Sequence, residues 1–190
     1  GVMDKRRLFV GACLLLAAPN PGWGEAQPSP SSAPSPQAAE AITLPESEDP
    51  YKRQTGFLRL EALRELSTVE TIQQYVKDRD PDMRAYSLRA LAAIEGPAAV
   101  PLLLQALKKD REPRVRWAAI LGLEPFQQAD PRILPACIKA LRDASIEVRI
   151  SAIDVVSRID DPRAREAIRI RDKRERRPDA LYGQGPTRLR

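Results

Sequence analysis

"VRWAAILGL", Val115–Leu123, places an arginine near the start of an otherwise apolar run. Counted from Arg116, an apolar residue stands one place before, alanine three after, isoleucine four after and leucine seven after. Those spacings form one stripe on an α-helix. The same spelling returns in "LRLEALREL" (Leu58–Leu66), "MRAYSLRAL" (Met83–Leu91) and "VRISAIDVV" (Val148–Val156). Four copies of one amphipathic phrase predict a helical repeat.

Between these A helices lie "TVETIQQYVKD", "GPAAVPLLLQALKKD" and "DPRILPACIKALRD", in which Ile72 and Val76, Leu103 and Leu107, and Cys137 and Leu141 are i, i+4 apolar pairs. Pro97 and Pro131 stand where a first helical turn tolerates proline. The order is therefore helix A, turn, helix B, repeated about four times. A lone pair of this size cannot bury its own apolar face, so neighbours must stack and share one continuous core. The expected fold class is all-α, an α-α superhelix of about four helix pairs. Leu104 and Leu121 are expected in its core, where aspartate would unfold the domain.

Arginine is rarely buried without a partner. In the first helical turn it also faces the unfavourable end of the helix dipole. Arg59, Arg84, Arg116 and Arg149 are therefore expected to form a structural ladder with acids of adjacent turns, Asp82, Glu112 and Glu147 being near. Ala62, Ser87, Ala119 and Ala152, three residues after each arginine, are small so that helices can approach to about 8–10 Å.

The segment Asp80–Asp110, "DPDMRAYSLRALAAIEGPAAVPLLLQALKKD", resembles a short HEAT repeat of the phycobilisome-lyase type, and the resemblance runs from near Tyr51 to Pro162. It implies an α-α superhelix that binds proteins; bilin chemistry does not follow from it. HEAT-like metal hydroxylases carry His-Glu motifs in their helices, and this chain contains no histidine.

That lack also excludes histidine-dependent triads and histidine-ligated zinc sites. The carboxylates Glu61, Glu65, Glu70, Asp78 and Asp80 read as solvated helix faces and turns. Cys137 lies on a B-helix stripe as a buried filler. No catalytic, metal-ligating or cofactor-binding residue is expected, and the protein is read as a non-enzyme.

Binding is the better-supported activity. Lys77, Lys108 and Arg142 each follow an aligned apolar residue of a B helix, which makes a column of cations across three repeats. With Gln105 and Lys139 nearby, the column suits an acidic protein partner on the concave face. The alternative reading is that cations simply favour helix C-termini. Trp117 lies off the main stripe, either as a filler against the next repeat or as an exposed anchor, and Tyr86 shares that ambiguity.

The ends of the sequence differ in character. "DKRR", an apolar run Leu8–Ala18 and a small-x-small site ending at Ala26 read as a secretory signal over residues 1–26, too short for a membrane span. "RRLFV" resembles a twin-arginine export consensus and "VGAC" a lipoprotein box at Cys13, so the export route and lipidation stay open, as does whether Gly1 and Val2 precede the true start. Residues 27–50, rich in Pro, Ser and Ala with four acids and no base, are expected to be a disordered linker. The repeat domain is expected over 51–176 and a basic disordered tail over 177–190. The expected protein is a periplasmic or secreted monomeric adaptor with no span after signal cleavage. The alternatives are a nucleic-acid-binding HEAT-like protein, the least favoured behind an export signal, and a lyase-type or chaperone accessory of an enzyme.

Overall fold

The computed structural model describes residues 33–175. The signal expected over 1–26, the first part of the linker and the tail expected over 177–190 lie outside the described residues. Within them every regular element is helical. Nine α-helices run α1 (Pro36–Ala41), α2 (Pro50–Leu63), α3 (Val69–Gln73), α4 (Pro81–Glu95), α5 (Val100–Lys109), α6 (Pro113–Leu123), α7 (Ile133–Ala140), α8 (Ile146–Arg158) and α9 (Pro162–Glu175). The pairs α2/α3, α4/α5, α6/α7 and α8/α9 are four A/B repeats. Successive A helices pack on one another, α2 on α4, α4 on α6 and α6 on α8.

Local chemistry starts each A helix. Asp49 and Asp80 cap α2 and α4 by accepting from the N–H of Tyr51 (2.9 Å) and Asp82 (2.8 Å). Pro50, Pro81 and Pro113 take the first helical positions, where no N–H is missed. Gly96 ends α4 with φ 60°, a left-handed geometry that glycine adopts without strain. Because the chain turns there, the apolar stretch Pro81–Lys109 becomes two packed helices, half of whose most apolar window is buried.

The core follows the stripe. Val115, Ala119, Ile120 and Leu123 of α6 are fully buried, as are Leu88 and Leu91 of α4 and Val148, Ala152 and Val156 of α8. On the B side Val100, Leu103, Ile133 and Cys137 close the same cluster. Leu104 and Leu121 are only half-buried, because each lies one position past a core residue, Leu103 and Ile120 respectively.

Two expectations fail at the N-terminal end. The linker over 27–50 gives way, within the described residues, to α1 and a 3₁₀ turn at Leu44–Glu46. Ser35 caps α1, and its N–H (2.9 Å) and Oγ (2.5 Å) donate to the Glu65 carboxylate beyond α2. Ala38 and Ala41 are fully buried and Pro45 is buried. The mean composition concealed a short i, i+3 alanine face whose partner is a glycine. An ideal Cβ at Gly56 of α2 would lie 2.7 Å from Leu44 Cβ and 2.9 Å from Pro45 Cδ.

The first repeat is also registered six residues earlier than its spelling suggests. Arg59 and Ala62 are exposed, and Arg59 reaches Glu40 of α1 at 2.8 Å. Their places belong to Arg53 and Gly56, with Phe57 and Leu60 buried four and seven residues after Arg53. Phe57 joins the first two repeats by packing on Tyr75, edge-on at 5.4 Å, and on Tyr86 at 6.0 Å. Tyr86 thus serves as a half-buried filler.

The Gly56→Ala variant should lose about 1–3 kcal/mol through overpacking, and elastase should then cut within residues 36–50 sooner than in the parent. Wild-type cleavage and melting would contradict the contact of α1 with α2. Leu123→Ala should cost about 2–5 kcal/mol in urea denaturation.

Candidate partner-binding face and the arginine ladder

Arg84, Arg116 and Arg149 occupy equivalent places; all three reach backward, and Arg84 and Arg116 also reach forward. The Nη1 atom donates backward to two carbonyls of the turn that enters its own helix. For Arg84 these are Asp78 (2.9 Å) and Arg79 (3.2 Å). For Arg116 they are Asp110 and Arg111, both at 3.0 Å, and for Arg149 Asp143 (2.8 Å) and Ala144 (3.0 Å). Nε and Nη2 then reach forward. Arg84 grips Asp110 at 2.9 and 3.0 Å, and Arg116 grips Asp143 at 2.8 and 2.7 Å.

Each acid also accepts the backbone N–H two residues on, from Glu112 and Ser145 respectively, both at 2.9 Å. The ladder therefore links repeats, as expected, but through turn aspartates of the following repeat. Asp82, Glu112 and Glu147, the acids expected there, stand on the helix starts instead. Arg53 completes a looser first rung, with Nη1 on the Ser47 and Glu48 carbonyls (3.2 and 3.3 Å) and Asp80 3.6 Å away.

These partners hold the carboxylates ionised. The Asp143 pKa lies below the ordinary range because Arg116 bonds its charged form, against some burial. For Asp110 burial pushes upward most strongly, yet the hydrogen bonds from Arg84 and Glu112 and the arginine charges leave the pKa lowered. Asp110 and Asp143 keep only 15 % and 13 % of their side-chain exposure, so water screens these rungs weakly.

The B helices carry the binding candidates. Between α5 and α7 lies an open groove of about 640 Å³ whose lining includes Leu104, Ala136, Lys108, Arg132, Lys139 and Arg142. It thus brings together Lys108, Lys139 and Arg142 of the expected set. Among the described residues none of these three has an ion-pair partner. A second groove of about 580 Å³ between α7 and α9 has Ile138, Leu141, Ala167 and Ile170 in its lining and shares Arg142 with the first.

Lys77 is exposed on the 3₁₀ turn Gln74–Lys77 that replaces the end of the first B helix, and it lines neither groove. Gln105 is exposed on α5, also outside the lining. Trp117 is on the other side of the repeat, on A helix α6. Its Nε1 donates to Ser151 Oγ of α8 at 3.0 Å while 40 % of the residue stays exposed, so it bridges two A helices rather than joining the B-helix cations. Arg132, which lines the first groove while held by Asp130, was not singled out because its charge reads as a helix-start pair.

Cys137 is fully buried in α7, and burial pushes its thiol up to about 12. At neutral pH it is a protonated filler.

With helix pairs, ladder and B-helix grooves placed, comparison with known proteins gives a consistent answer. A family model described as HEAT repeats matches residues 38–124 and 100–180, about three quarters of the chain. The chain belongs to the HEAT-repeat family. Over 61 residues, 32 % of its length, this HEAT-repeat chain is 44 % identical to a phycobilisome maturation protein of Synechococcus elongatus, of which it spans only 30 %. A solved structure of the complex of CpcE and CpcF of phycocyanin lyase from Nostoc sp. PCC7120 is similar in fold, with a TM-score of 0.56 and 24 % identity over 76 % of this chain and 93 % of that one.

The ladder predicts a definite acid response. A carboxylate whose folded pKa is depressed adds stability above its unfolded value of about 3.9 and loses it as pH falls through the folded pKa. Asp143→Asn should lower stability at pH 7 by roughly 2 kcal/mol and flatten the loss of stability between pH 5 and pH 2 in urea titrations. A variant as acid-sensitive as the parent would remove Asp143 from the acid transition.

Proposed function

We propose that the chain is a non-catalytic adaptor of the bacterial envelope, whose B-helix face holds an acidic segment of a protein partner. The observation that carries this reading is the α5–α7 groove, where Lys108, Lys139 and Arg142 stand around an apolar floor with no ion-pair partner among the described residues, the two acids of the lining, Asp110 and Asp143, being held by Arg84 and Arg116. An acidic, partly apolar peptide would supply the missing charge and cover Leu104 and Ala136. Buried or rim pairs of this kind steer encounter and fix orientation more than they add raw affinity.

Three further facts support the reading. CpcE and CpcF of phycocyanin lyase, whose structure is similar in fold, form a complex with each other. A chain without histidine lacks the commonest general base, and its buried Cys137 thiol is protonated at neutral pH. The charged start, apolar run and small-x-small site over residues 1–26 favour export.

A second reading rests on the 44 % identity with the phycobilisome maturation protein: an accessory that presents a client protein to a modifying enzyme. The two differ in what copurifies. An adaptor brings down a protein alone, whereas the accessory would retain a client bearing pigment or another prosthetic group.

Charge reversal of Lys108, Lys139 and Arg142 to glutamate should abolish capture of the partner from envelope extracts with little change in melting temperature. Reversal of Lys77, outside the groove, should leave capture intact. Equal capture by both variants would move the site elsewhere. N-terminal sequencing of the fractionated protein should give a mature start near Gln27; a full-length cytosolic chain would refute the envelope location.

A further inference from the structure

The groove between α7 and α9 shares only Arg142 with the α5–α7 groove and is built differently. Ala164 and Ala167 are the residues that α9 packs on the core, and side chains so small leave Ile138 half-buried and Ile170 37 % exposed. Together with Leu141 they line an apolar floor in a cavity of about 580 Å³. Small-molecule sites span roughly 300–1,000 Å³ and combine such a floor with a few convergent polar groups.

Here those groups gather at one mouth. α7 and α9 are B helices of successive repeats and run in the same direction, so Arg142, just past the end of α7, lies at the same mouth as Arg171 and Arg174 near the end of α9. Arg142 and Arg174 have no ion-pair partner among the described residues. Arg171 gives Nη2 to Glu175 at 2.6 Å, but its buried Nε has no hydrogen-bond partner. The acids of the lining are engaged, Glu175 by Arg171 and Glu166 by Arg169 at 2.6 and 2.7 Å. At the other mouth Pro162 precedes Arg163, whose guanidinium is held by Asp161 at 2.8 and 3.0 Å. The helix dipole accounts for cations in a C-terminal turn. It does not account for the apolar floor that runs away from them.

We propose that the α7–α9 groove binds a single-chain anionic amphiphile of the fatty-acid class, its alkyl chain on Ile138, Leu141, Ala167 and Ile170 and its carboxylate between Arg142 and Arg174. The distribution of charge selects this ligand. Uncompensated cations at one mouth and none at the other fit one anionic head and one apolar tail, and a guanidinium bonds a carboxylate in bidentate fashion. The floor selects an alkyl chain over an extended peptide. The backbone groups of α7 and α9 are bonded within their own helices, so a peptide strand laid there would lose hydrogen bonds that an alkyl chain does not have. The site stands whether or not the α5–α7 groove holds a protein.

The test is titration calorimetry on the full chain with laurate below its micelle concentration. Laurate should bind saturably at about one per chain. Dodecanol, with the same tail and no charge, and butyrate, with the charge and little tail, should each bind at least tenfold more weakly. Arg171→Gln with Arg174→Gln should weaken laurate about tenfold or more, the scale of one lost charge-assisted hydrogen bond. Ala167→Trp, which fills the floor, should abolish binding, and Ile170→Gln at its exposed position serves in its place if that variant melts early. Lys77→Gln, outside both grooves, should bind laurate as the parent does. Lys108, Lys139 and Arg142 are untouched in all of these, so partner capture remains a separate measurement. Absence of saturable laurate binding, equal binding of dodecanol, or full binding by the filled-groove variant overturns the proposal. If the parent ignores laurate but floats with phosphatidylglycerol vesicles and Ala167→Trp does not, the groove meets a membrane surface and the proposal also falls.

Discussion

Everything in the repeat array leans on one contact, the guanidinium of an A-helix arginine held between the turn behind it and an aspartate of the turn ahead. Arg116 shows what it accomplishes. A positive charge in the first turn of α6 opposes the helix dipole, and two carbonyls and a bidentate carboxylate compensate it. The same atoms fix the turn from α5 to α6, through the carbonyls of Asp110 and Arg111, and the turn from α7 to α8, through Asp143. Because each carboxylate also binds the N–H of a helix-capping residue, the angle at which the next A helix starts is set by the arginine of the previous one. The close packing of Ser87, Ala119 and Ala152 follows from that placement.

Much of this was legible in the sequence because it is local. The −1, +3, +4, +7 spacing around Arg84, Arg116 and Arg149 depends only on helical periodicity, and those three positions stand as read. The first repeat misled because its spelling is better at the wrong arginine. Around Arg59 apolar residues fall at the expected spacings, whereas around the true rung, Arg53, the preceding residue is Lys52 and the small one is Gly56. The sign that outweighs spelling is the cap: Asp49-Pro50 stands four residues before Arg53 as Asp80-Pro81 does before Arg84 and Glu112-Pro113 before Arg116. The acids of the ladder were missed for another reason. Their distance along the chain, 26 and 27 residues, is a property of stacking rather than of any one helix.

Composition concealed α1. Pro, Ser and Ala averaged over 27–50 read as chain that cannot fold alone, which is true of a six-residue helix in isolation. Its stability is borrowed from Gly56, Glu65 and Arg59, all on or beyond α2. The binding face was half legible by the same logic. A column of cations can be counted from aligned B helices, but whether Lys108 and Arg142 share a groove depends on the α5–α7 separation, and the side on which Trp117 emerges depends on A-helix packing.

The forward direction of the rungs bears on how the protein is made. During synthesis each guanidinium emerges 26 or 27 residues before the aspartate that completes it. A nascent chain therefore cannot lock a repeat until most of the following one has left the ribosome, and the growing end always trails an unsatisfied arginine. Translation pauses placed one repeat late would favour native stacking, whereas a pause between Arg116 and Asp143 would hold the chain in its least finished state.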